Sequence, residues 1–196
     1  MATELTKVER TKMGATKPIY AKIKTRTEGG KITYDTVKAF SEFVSLTENL
    51  DYAESQFHSN NKKSESARQF RGCDLTFANK GLSQENVADV FGATLNENDD
   101  LVYGANDAAP RIGFAFFREL EDDGTRYYEG VFYPDCKAFL GNANDNTRGE
   151  NITYNGDSTS LEAYAMDDTA GTWKVEHIFA TAQEAETWCK EQFTGA

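Results

Sequence analysis

The chain reads as an α+β protein that is mainly β: antiparallel strands joined by tight turns, one short helix inside the chain and another at its C-terminal end. Three observations lead there. Apolar and polar residues alternate through several segments, the strand period. An Asp-Gly pair separates two aromatic-rich alternating runs. The 13 Phe and 9 Tyr far outnumber the 2 Trp, a blend that suits pleated surfaces. With 196 residues, 39% of them hydrophobic, residues 1–196 are expected to form one domain around a single core.

Residues 1–16 are polar and read as an N-terminal arm. Ile19, Ala21 and Ile23 then alternate with Lys22, Lys24 and Arg26, as in a half-buried strand. Gly29-Gly30 supplies a turn, and Ile32, Tyr34 and Thr36 alternate again. Residues 43–50 predict a third strand with Val44, Leu46 and Leu50 on one face. Residues 56–68 read as a long polar loop, after which Cys73, Leu75 and Phe77 resume the strand period. Ser83 is placed to cap a helix of about ten residues in which Val87, Val90 and Phe91 share a face and Gly92 ends the run.

The most specific local signal is the hairpin around Asp123-Gly124, a pair that favours the type I′ turn of two-residue loops. That loop sets Glu121 opposite Arg126, Arg118 opposite Glu129, Leu120 opposite Tyr127, Phe116 opposite Val131 and Phe114 opposite Tyr133. Each pairing is chemically compatible. Residues 137–150 read as a loop with a helical turn at 138–140, and residues 151–154 and 161–165 as strands. Residues 172–179 follow as a strand with Trp173, Val175, His177 and Phe179 on one face. The C-terminal helix, 181–193, opens with the T-x-x-E capping box of Thr181 and Glu184.

Catalytic chemistry finds little support. His58 and His177 are the only histidines, and neither lies in a G-x-S-x-G or HExxH setting; Cys136 or Cys189 beside His177 would be a matter of spatial chance. Asn142, Asn144 and Asn146 have calcium-loop spacing, but Thr147 and Thr153 stand where Gly and a bidentate Glu are needed. The Asn96, Asn98, Asp100 series fails at Leu101. Glu119, Glu121, Asp122 and Asp123 belong to a hairpin tip, and the sequon at Asn151 carries no weight without a secretion signal. Cys73, Cys136 and Cys189 form neither a CxxC pair nor an even set. No enzyme activity, cofactor or metal is expected.

The net charge of -11 is polarised. Residues 1–80 hold 14 Lys/Arg against 10 Asp/Glu, whereas residues 96–168 hold 5 against 16. A general nucleic-acid-binding role is disfavoured, since phosphate contacts need a dominant basic patch. No apolar stretch reaches the length of a membrane span, so a soluble protein made in a cytoplasm is expected.

The succession of LSQENVADVFGA, YGANDAAPRIGFAFFRE, TRYYEGVFYP, NTRGENITYNGDSTSLEAYA and TWKV resembles the major tail protein family of long-tailed, non-contractile bacterial viruses. The resemblance covers about half of the chain, residues 82–179, and rests on the order of the segments. It implies a tail tube protein: a β-sandwich or barrel-like domain with a flanking helix. Such subunits form rings, typically six-fold, that stack into a hollow tube through which DNA passes without specific binding. The implied partners are further copies of the chain and other tail proteins, and the implied location is the virion tail, assembled in a bacterial cytoplasm. Part of the acidic segment 96–168 is expected to face the lumen, where it would repel phosphate. The polar arm and the loop at 56–68 are expected to bridge subunits, with Phe57, His58, Asn60, Lys62, Lys63 and Arg68 as interface candidates. The C-terminal helix has no counterpart in the family pattern. A carbohydrate- or surface-binding β-domain presenting Tyr127, Tyr128 and Tyr133 is the alternative, and a hydrolase with scattered carboxylates a more distant one.

Overall fold

The computed structural model describes residues 5–9, 11–59, 62–140 and 157–194, without the side chains of 55–59 and 62–67. The expected strand at 151–154, the Asn142 series and Asn60 lie outside them.

A turn of 3-10 helix, Leu5–Lys7, precedes eleven strands among the described residues: β1 (Thr11–Arg26), β2 (Ile32–Tyr34), β3 (Lys38–Ala39), β4 (Phe43–Ser59), β5 (Lys62–Asn79), β6 (Thr94–Leu95), β7 (Leu101–Val102), β8 (Arg111–Asp122), β9 (Thr125–Phe139), β10 (Asp157–Ala163) and β11 (Val175–Phe179). Helix α1 (Gln84–Phe91) lies between β5 and β6, and α2 (Ala182–Glu191) follows β11. The main sheet is antiparallel, in the order β2-β1-β8-β9-β10-β5-β4, with β3 added to β1 and β11 to β9. The fold is therefore mainly β with two helices, as expected, and its barrel is not closed: no ladder joins β4 to β1 among the described residues.

The β8–β9 hairpin has the register that its turn predicts, from Phe114 opposite Tyr133 to Glu121 opposite Arg126. Asp123 (φ 46°) and Gly124 (φ 75°) take the left-handed conformations of a type I′ turn. Both helices start and stop where their caps stand. The Ser83 side chain accepts from the Asn86 amide, Gly92 ends α1 at φ 78°, and Thr181 and Glu184 complete their capping box.

Curling the sheet separates its two faces. Tyr20, Leu75, Phe77, Ile112, Phe114, Phe116, Val131 and Tyr133 project inward and form the main core with Phe40 and with Val90 of α1. The alternate residues Ala21, Ala115, Phe117 and Phe132 project outward and are covered by Ala185, Cys189 and Phe193 at the C-terminal helix. That helix can come close because the face beneath it is lined with small residues. A Cβ on Gly130 would stand 2.5 Å from Trp188, and one on Gly113 would stand 2.9 Å from Phe193.

Several expectations change. Residues 11–16 belong to β1, paired with β8 from Thr11 opposite Glu121, so the polar arm is shorter than 1–16. Tyr20 is buried although its neighbours read as solvent-facing, because β1 is covered on both faces. A bulge between Phe43 and Ser45 turns Val44 outward, while Phe43 and Leu46 pack on the core. Ala138 and Phe139 continue β9, held by pairing with β10, and form no helical turn. Trp173 precedes β11 and packs on the inner core, whereas Val175 and Phe179 join the outer cluster. The expected loop at 56–68 is strand over its described residues, 56–59 and 62–68: Phe57 pairs with Glu65, His58 with Lys63 and Ser59 with Lys62.

Candidate assembly surface

Strands β4 and β5 are the longest among the described residues, 17 and 18 residues. β10 accompanies β5 only from Asn79 to Cys73, and from Gly72 onward β5 has β4 as its single partner among the described residues. The outer half of the pair is therefore a two-stranded ribbon. Its base is aromatic: Tyr52 meets Phe70 edge-on at 6.0 Å, and Phe70 stacks on Trp173 at 5.0 Å. Arg68 pairs across the ribbon with Glu54 at 2.7 Å, and Arg71 faces Asp51 at 3.6 Å. Such exposed pairs steer and orient more than they stabilise.

Of the interface candidates, Phe57, His58, Lys62, Lys63 and Arg68 all fall on this ribbon. The structure brings them together as strand positions in fixed register, which the loop reading did not provide. Sequence reasoning missed the outer edge of β4. It pairs with nothing along its length among the described residues, and it carries Val44, Leu50 and Tyr52 exposed at 65%, 47% and 42%. A long edge of unsatisfied N–H and C=O groups flanked by exposed apolar side chains is what soluble monomers avoid.

Inside the curl, a charged network links this edge strand to the body. Glu48 of β4 accepts from Lys174 Nζ at 2.8 Å and from the Tyr133 hydroxyl at 2.7 Å. Lys174 also reaches Glu176 at 2.8 Å, Glu176 accepts from Arg118 at 2.6 Å, and Arg118 pairs with the fully buried Glu129. Burial opposes charge on Glu48, but the Lys174 and Tyr133 hydrogen bonds outweigh it and hold its carboxyl below the usual range. Burial, with Glu48 beside it, pushes the Tyr133 phenol far up.

The acidic segment 96–168 is not one surface. Glu129 and Asp135 are buried. Asp135 accepts from Arg111 at 3.0 Å, and Arg26 stands 2.6 Å from its other oxygen, charge-paired but off the line of a hydrogen bond. The exposed acids among the described residues are spread: Glu97, Asp99 and Asp100 at the β6–β7 turn, Asp123 at the β8–β9 tip, and Asp107, Asp157 and Asp167 apart from both. The Asn96 side chain accepts from the amides of Asn98 and Asp100, so its oxygen already serves the turn.

The residues weighed for other chemistry are dispersed. His177 lies on the outer face, its ring 6.2 Å from that of Trp188. Cys136 and Cys189 are buried, and burial pushes the Cys189 thiol up to about 12 and the Cys136 thiol well above its ordinary value. Among the described residues no group of three His, Cys, Asp or Glu could hold a metal ion, and no helix is long and apolar enough to cross a membrane. Tyr127 and Tyr133, expected as an exposed platform, are buried at 7% and 0% exposure because both face inward from β9. No family model matches the chain, and no curated protein matches it significantly.

Proposed function

We propose that the chain is a structural subunit that polymerises with copies of itself into a hollow tube, of the kind built by the major tail proteins of long-tailed bacterial viruses. The observation that carries this reading is the 17-residue outer edge of β4, unpaired among the described residues and continued by the β4–β5 ribbon. A neighbouring copy would cover both, and the ion network behind Glu48 would hold the edge strand firm for that contact. In such a tube the acids at the β8–β9 tip would face passing DNA and repel its phosphates. The subunit itself would do no chemistry.

Negative-stain electron microscopy of the purified protein, concentrated and followed over time, tests the reading. Rings or hollow tubes of uniform width are expected. A protein that stays monomeric at millimolar concentration, with no higher species in sedimentation, would overturn it.

A further inference from the structure

A second surface of the molecule bears on how copies would meet. Between β1, residues 37–43, the start of α1 and the end of α2 runs an open groove of about 1010 Å3. Its floor is apolar, with Ile19, Phe43 and Phe117, and its rim carries Lys17, Lys38, Lys80 and Lys190 against Glu42 and Glu186. The lysines already pair within the chain, Lys17 and Lys190 with Glu186, Lys80 with Glu42 and Lys38 with Glu85 and Asp89, so the rim offers a second copy their remaining N–H donors in pairs open to exchange rather than free charge. Lys17 reaches the rim from a bulge in β1, where it holds a left-handed backbone at φ 51°.

At the other end of α1 stands the complementary shape. Residues 93–108 leave the helix, form the β6–β7 hairpin and return, and the neck is tight: a Cβ on Gly92 would stand 2.4 Å from the Ala108 carbonyl oxygen. The excursion holds Glu97, Asp99, Asp100 and Asp107 and no basic residue. It leaves Leu95, Val102 and Tyr103 exposed at 38%, 50% and 55%. An apolar knob with an acidic fringe matches an apolar groove with a lysine-rich rim. None of residues 93–108 lines the groove of its own chain, and the eight residues of α1 set the two surfaces ~12 Å apart.

We propose that the groove receives the β6–β7 hairpin of a second copy, with Tyr103 and Val102 on its floor and Glu97, Asp99 and Asp100 against its lysines. The inference rests on the self-assembly reading and adds a specific partner surface to it. Groove and knob are different surfaces, so the contact is heterologous: each docked copy keeps one groove or one knob free, and the chain of contacts runs on.

Two variants test this by sedimentation. The first blocks the groove with Ala39→Trp and Lys80→Glu, both at exposed groove positions; the second disables the knob with Tyr103→Ser and Glu97→Lys. Each alone should raise the concentration needed for polymerisation by about tenfold or more, the effect of losing one anchored contact. Mixed one to one, with residues 58–66 deleted from both so that the ribbon contact is removed, they should form a dimer that grows no further, because one intact groove meets one intact knob. If the natural chain polymerises and the mixture gives no such dimer, the inference is overturned and self-assembly stands. If the natural chain never associates, both fall. A photo-crosslinker at position 103 of the otherwise natural chain, mixed with isotope-labelled copies, gives a second measurement independent of how the variants fold. Cross-links between chains to residues 37–43 or 80–86 support the docking, and cross-links within one chain or elsewhere overturn it.

Discussion

Tyr133, with none of its surface exposed, donates its hydroxyl to Glu48 at 2.7 Å, and that bond joins the middle of β9 to a strand that has, among the described residues, no neighbour on its outer side. Tyr133→Phe keeps the ring and removes the tie. A loss of ~1–2 kcal/mol in urea denaturation is expected. The Glu48 carboxyl is held below its ordinary value, so its contribution is complete above pH 4.5 and disappears as the pH falls through the folded-state value. The variant should therefore lose stability less steeply than the natural chain below pH 4.5; identical acid limbs would count against the tie.

Arg118 is the shared partner of Glu129 and Glu176. Arg118→Met leaves Glu129 buried without this guanidinium, at a cost of ~3–5 kcal/mol. Adding Glu129→Gln removes the buried charge and should recover part of that loss, which a double-mutant cycle in denaturant would measure.

Gly130 has the Trp188 ring where a side chain would begin, 2.5 Å from an added Cβ. Gly130→Ala should push α2 off the sheet, cost ~1–3 kcal/mol and change the fluorescence of Trp188. The same substitution at Gly14, where an added Cβ meets nothing within 4 Å, is the control.

Deleting residues 58–66 removes the end of the ribbon, where β5 has β4 as its single partner among the described residues. The melting temperature should stay within a few degrees while polymerisation is lost, as followed by circular dichroism and sedimentation. Unchanged polymerisation would exclude the ribbon from the contact.

The parts of the fold that local chemistry decides were legible. Asp123-Gly124 dictates a two-residue turn, and the turn dictates five cross-strand pairs that the structure contains. Thr181 with Glu184, and Ser83 with Gly92, mark helix ends in the same way. The ribbon was not legible, because its sequence, QFHSNNKKSESAR, has no apolar alternation to read. Nor could Glu129 and Asp135 be told from surface acids. What allows their burial is Arg118 across the hairpin for the first, and Arg26 and Arg111 from two other strands for the second. The β4 edge is a property of strand order, which depends on β10 inserting beside β5 from 80 residues farther along the chain, as in the pairing of Ser158 with Ala78.

The three cysteines give the molecule a built-in clock. Cys73, Cys136 and Cys189 sit on β5, on β9 and in α2, all free and all buried. A thiol reacts as its thiolate, and burial pushes the Cys73 thiol up to about 11 and the Cys189 thiol up to about 12, so the folded chain resists alkylation at neutral pH. The rate at which each sulfur takes up a reagent thus reports how often its own layer opens: Cys189 the lifting of the C-terminal helix, Cys73 the parting of β5 from its neighbours, Cys136 the loss of the interior as a whole.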